Sequence, residues 1–128
     1  MTYHFSKIVP LGFQATVEKV TSDLKTQGFG ILTSIDVEQT LKAKLGVDVR
    51  PYLILGACNP SLAYRALQVE NKIGAMLPCN VVVQQHEDGS VEVSAVDPVA
   101  SMASVVNPEL ANVAQEVRSK LKSVIENL

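Results

Sequence analysis

Apolar and polar residues alternate along this chain in two rhythms, and together these predict nine segments. Phe13, Val17, Val20 and Leu24 recur at helical spacing. They mark one face of an amphipathic helix over Gly12–Gln27, which Gly28 ends. Val37, Leu41 and Leu45 predict a second, shorter helix. Asp36 stands at its N-cap with Gln39 at the third helical position, and Gly46 stops it. Asn59 and Pro60 open a third helix that runs to about Glu70, with Leu62, Ala63, Ala66 and Leu67 facing inward. Leu110, Val113, Val117, Leu121, Val124 and Leu128 form the stripe of a last helix from Pro108 to near Leu128. Between these lie strand-like runs at Tyr3–Val9, Gly30–Ile35, Tyr52–Ala57, Asn80–His86 and Ser90–Asp97. Tyr52–Ala57 is apolar without alternation, so a central strand with both faces covered is expected there. The segment Val99–Val106 is apolar but shows neither rhythm.

The last two strands read as a hairpin whose register can be derived. Val91, Val93 and Ala95 alternate on one face. A three-residue loop of Glu87, Asp88 and Gly89 pairs Val83 with Val93 and Val81 with Ala95. A two-residue loop would pair Val93 with Gln84 and put a polar residue into the buried row. The longer loop is therefore expected, with Gly89 left-handed. Gln84, His86, Glu92 and Ser94 then share the other face. The fold class is α+β, a mainly antiparallel sheet of about five strands with helices on one face, in a single domain over residues 1–128.

Composition supports a globular core. The chain has 128 residues, 47% of them hydrophobic and 19% charged, with a net charge of -2. That much apolar mass argues against disorder. Lys and Arg are scattered and aromatics make up only 5%. Neither a basic stripe nor a stacking platform exists, so no nucleic acid partner is expected. The first ten residues carry no apolar leader segment, and no apolar run approaches the roughly 20 residues that span a bilayer. The expectation is a cytoplasmic protein with no membrane association, its two cysteines reduced.

Several stretches resemble the domain-of-unknown-function 302 family. These are Gly56-Ala57-Cys58-Asn59-Pro60, Leu77-Pro78-Cys79-Asn80-Val81-Val82-Val83, and Gly28-Phe29-Gly30-Ile31-Leu32 followed by Ile35-Asp36-Val37. Asp88-Gly89 in the hairpin and Asp97-Pro98 after it fit as well. The resemblance covers nearly the whole chain. It implies a TATA-box-binding-protein-like α+β fold with helices on one face of a curved antiparallel sheet, and it makes a homodimer plausible. It implies no activity.

Cys58 is the leading chemical candidate. It precedes the Asn59 cap, where helix N–H groups and the helix dipole favour a thiolate. The competing reading is a small buried hydrophobe where a strand meets a helix, which is the commoner role of cysteine. Cys79 follows Pro78 at the start of a strand; if it meets Cys58 across the sheet end the two form a disulfide pair or half of a soft metal site, and otherwise they are two unrelated core cysteines. Closed zinc sites want four ligands at short spacings. Two cysteines 21 positions apart, with only His4 and His86 to assist, do not match, so neither a metal nor a cofactor is expected. His86 with Glu92 near a hairpin tip reads as a solvated pair. Arg65 and Lys72 stand ready to greet an anion near Asn59, or simply face solvent. No Gly-x-Ser-x-Gly elbow occurs, and Gly28-Phe29-Gly30 lacks the third glycine of a phosphate loop.

Three functional classes follow. The first is a homodimeric binding or regulatory domain holding a small-molecule ligand near Cys58, Asn59, Pro60 and Cys79. The second is a sulfur carrier or redox protein using Cys58. The third is a protein interaction module. Nothing in the chain requires an enzyme. The Val99–Val106 segment is expected to help cover the dimer interface.

Overall fold

In a computed structural model, which describes residues 2–128, the chain forms one open sheet with a helical layer on one face. The elements in order are β1 His4–Val9, α1 Phe13–Thr26, β2 Gly30–Asp36, α2 Val37–Leu45, β3 Tyr52–Cys58, α3 Pro60–Val69, β4 Cys79–Gln85, β5 Val91–Val96, α4 Pro98–Ser101 and α5 Pro108–Glu126. A 3-10 turn, Ile73–Met76, lies between α3 and β4. The strand order is β1-β5-β4-β3-β2, and every neighbouring pair is antiparallel.

Burial alternates along the sheet. Val81 and Val83 of β4 and Val91, Val93 and Ala95 of β5 are almost fully buried. They face α1 and α5, which cross the sheet there. The hairpin register is the one derived from the sequence: Val83 opposite Val93, Val81 opposite Ala95, and Gly89 at φ +86°. Two small features fasten the layer. Lys7 Nζ donates to the Leu128 carbonyl at 2.6 Å and the Glu126 carbonyl at 3.0 Å. It thus supplies donors and positive charge to the last carbonyls of α5. The Phe29 N–H donates to the Leu24 carbonyl and the Gly28 N–H to that of Lys25, the pattern that closes a helix through a left-handed glycine.

One expectation changes. β4, not β3, is the central strand, and β3 has one face uncovered. Leu55 and Ala57 are buried under the helices, whereas Ile54 points to the opposite face and is half-buried. The apolar run of β3 arose because α2 packs against β3 and leaves Tyr52 beside Val37 and Leu41, not because a second helical layer exists. The segment 99–106 packs within its own chain. Asp97 caps α4 by accepting from the Val99 and Ala100 N–H groups. Met102 is buried, Val99 and Val105 lean on the core, and of the segment's large apolar residues only Val106 is freely exposed.

Candidate functional site

The end of the sheet where β3 finishes and β4 begins is not filled. A cavity of about 280 Å³ opens there between α3, α5 and the turn after α4. Its walls are almost wholly apolar. α3 contributes Leu62, Ala63, Ala66 and Leu67 from the face its helical spacing aligns, and α5 contributes Leu110, Val113 and Val117. Phe29 and Leu32 close one side, Leu77 and Pro78 another, and Met102 reaches in from the segment after α4. Leu32 and Leu67 stand exposed at the mouth.

The polar atoms in this cavity come from the residues singled out in the sequence. Cys58, Asn59 and Cys79 all line it. In the antiparallel pairing of β3 with β4, Cys79 lies directly opposite Ala57, one residue before Cys58. Both thiols are free, Cys79 buried and Cys58 half-buried. Burial, and after it the charge of Cys58, push the Cys79 thiol up to about 11. Burial also raises the Cys58 thiol. This reverses the direction expected from its place beside a helix N-terminus. Desolvation disfavours the thiolate more than the dipole favours it.

Asn59 is already engaged. Its Oδ1 accepts from the Leu62 N–H at 3.3 Å and its Nδ2 donates to the Gln27 carbonyl at 3.2 Å. The side chain thus caps α3 and ties it to the end of α1, passing close to Gly28. A side chain on Gly28 would obstruct that tie. Pro60 occupies the first turn of α3 at the surface and does not line the cavity. Arg65 is spent on a forked contact to both carboxylate oxygens of Glu116 at 3.1 Å, so it greets no anion, and Lys72 stays exposed. His86 Nε2 meets Glu92 at 3.0 Å near the hairpin tip, away from the cavity. His4 hydrogen-bonds Ser6, which bonds Ser94, both at 2.7 Å, on the uncovered sheet face. Sequence reasoning missed Met102 and Leu77 as lining residues, because neither belongs to a periodic stripe.

Such an open antiparallel sheet, with helices on one face and an apolar hollow at one end, defines a small α+β domain class. Within it, the chain belongs to the family described as Domain of unknown function DUF302, whose model matches residues 5–128. It is similar to the crystal structure of an uncharacterized conserved DUF302 protein from Bacillus stearothermophilus. That chain is 30% identical and superimposes with a TM-score of 0.91 over 98% of each chain. No curated protein matches. No helix among the described residues is long and apolar enough to cross a membrane.

Proposed function

We propose that the protein is a small-ligand-binding domain that holds a compact, mainly apolar molecule in the cavity between α3, α5 and the end of the sheet. The observation that carries this reading is the cavity itself. About 280 Å³ of apolar space is left open at the surface, walled by α3, α5 and the end of the sheet. A dry apolar cavity of ~150 Å³ is enough for a benzene-sized guest, so a ligand about twice that size fits here. Cys58 at the rim and Cys79 deeper in give the guest two weakly polar contacts. Binding draws on apolar burial at ~25 cal/mol per Å².

A homodimer belongs to the same proposal. Its support is the apolar side chains that the uncovered sheet face leaves unpacked, Ile35, Ile54 and Val82 among them.

The test is a titration with an apolar fluorescent probe. The wild-type chain should bind one probe saturably. Ala63→Phe fills the cavity from α3 and should abolish binding. Leu67→Asp, at the exposed mouth, should weaken it without touching the core, which covers the case in which the larger side chain disturbs folding. Unchanged probe affinity in both folded variants would overturn the reading.

A further inference from the structure

On the sheet face turned away from the helices, alternation and register set the side chains in rows. Ser6 lies opposite Ser94, and Ser94 opposite Val82. Glu92 lies opposite Gln84, and Gln84 opposite Tyr52. A hollow of about 380 Å³ opens over these rows, with Asn80, Val96, His4 and Tyr3 at its other sides. Ile35 and Ile54, further along the same face, stand outside it. The Ser6 hydroxyl bridges His4 Nδ1 and the Ser94 hydroxyl, both at 2.7 Å. Glu92 Oε1 meets His86 Nε2 at 3.0 Å, which leaves its second oxygen as an acceptor. The Asn80 and Gln84 amides and the Tyr52 hydroxyl take no part in the side-chain hydrogen bonds among the described residues.

We propose that this hollow binds a neutral sugar ring. Charge decides the class of ligand. The chain has 11 Lys and Arg residues and none lines the hollow, so a phosphate or carboxylate would enter without a counter-charge. Glu92 is the one acid that lines it, and it already faces His86, so a cation finds no unpaired anion. Neutral hydrogen bonding remains. A side-chain amide presents a donor and an acceptor side by side, and a hydroxyl is both at once. Asn80 and Gln84 flank Val82 on β4, ~6.8 Å to either side for same-face residues of a strand. A ring seated over Val82 therefore reaches both amides with its hydroxyls, and the second Glu92 oxygen, one strand away, accepts from a further one. Val82 and Val96 meet the C–H side of the ring. Tyr52 and Tyr3 add apolar ring faces with polar tips, Tyr3 standing edge-on to His4 with the centroids 5.0 Å apart. The hollow is separate from the apolar cavity, which lies among the helices and shares none of these residues.

The experiment is saturation-transfer NMR on the full chain with glucose, galactose, mannose and N-acetylglucosamine. Protein is kept dilute, so that a second copy does not compete for Val82. At least one sugar should show transfer to its ring C–H protons that saturates as its concentration rises. Glu92→Gln keeps the shape and a bond to His86 but loses the charged acceptor, and should weaken binding about 10-fold or more. Gln84→Ala should weaken it about 2–10-fold. Asn80→Ala, at an exposed position, should do the same with unchanged circular dichroism, which covers a Glu92 variant that fails to fold. No saturable transfer from any of the four sugars would overturn the proposal. So would affinities unchanged in the folded variants, or glucose 6-phosphate or glucosamine bound more tightly than the neutral sugars. Displacement of the apolar fluorescent probe by the sugar would place the sugar in the other cavity and overturn it as well. Probe binding without sugar binding ends this site alone, and sugar binding without probe binding ends the reading of the apolar cavity alone.

Discussion

Leu55 and Ile54 are adjacent on β3 yet should respond very differently to truncation. Leu55 is 3% exposed under the helical layer, whereas Ile54 lies on the face that no helix covers. Leu55→Ala removes about three methyl-sized groups at ~0.8 kcal/mol each. It also leaves a cavity that adds ~24 cal/mol per Å³ wherever the walls fail to collapse. The expected loss is about 3–4 kcal/mol. With a urea slope of ~1.5 kcal/mol/M for a chain of this size, the midpoint falls by roughly 2 M. Ile54→Ala removes atoms already half in water and opens no enclosed void, so about 1 kcal/mol or less is expected. Urea denaturation of both variants, followed by circular dichroism at two protein concentrations tenfold apart, measures the difference. A cost for Ile54→Ala that grows with protein concentration would show that a second copy covers this face, because association stabilises the folded state by mass action. Equal costs for the two substitutions, independent of concentration, would refute the assignment of faces.

Gly56 is packed so closely that an added Cβ would overlap the Thr33 hydroxyl and press within 2.7 Å of Pro78 Cγ. Gly56→Ala should cost about 1–3 kcal/mol in a denaturation curve, and less in a Thr33→Ala background; no change in midpoint would contradict that contact. With burial holding the Cys79 thiol near 11 and raising that of Cys58, native labelling by iodoacetamide at neutral pH should be slow for both. Cys58 should lead Cys79 because it is the exposed one, and mass spectrometry that finds Cys79 labelled first would overturn this order. The same shift sets a pH dependence of stability. An unfolded thiol ionises near its ordinary 9.0 while folded Cys79 holds its proton to about 11. In that window the unfolded chain binds fewer protons, so stability is full below about pH 9 and declines as pH rises towards 11. A Cys79→Ala chain should lose that decline, which a midpoint series across the window would reveal.

How far the sequence could be read depended on whether a feature was local. The hairpin register was legible because a single buried row, Val91, Val93 and Ala95, fits only one loop length. The helix stops and caps were legible at Asp36, Gly46 and Asn59, since each acts on backbone groups within four residues. The face of β3 was not, because an apolar run looks the same whether its second side meets a helix or is merely shielded at one end by α2. The segment after Asp97 showed no period because its residues are placed singly, Met102 into the cavity and Val105 onto the core, instead of along a face. That Cys58 and Cys79 line one cavity depends on a β3–β4 register set across α3 and the 3-10 turn, and no local pattern encodes it. Of the two readings of Cys58, magnitude favours the protonated one. A helix dipole at a half-exposed site contributes about 0.3–1 kcal/mol, whereas one pKa unit is about 1.4 kcal/mol. Partial burial therefore needs to remove only modest solvation to outweigh the dipole, and the walls of Leu62, Leu77 and Phe29 do so. A thiol kept protonated by its surroundings is a poor nucleophile towards dissolved reagents. The feature that argues against covalent catalysis at Cys58 leaves the cavity reading intact, since an apolar guest needs no thiolate.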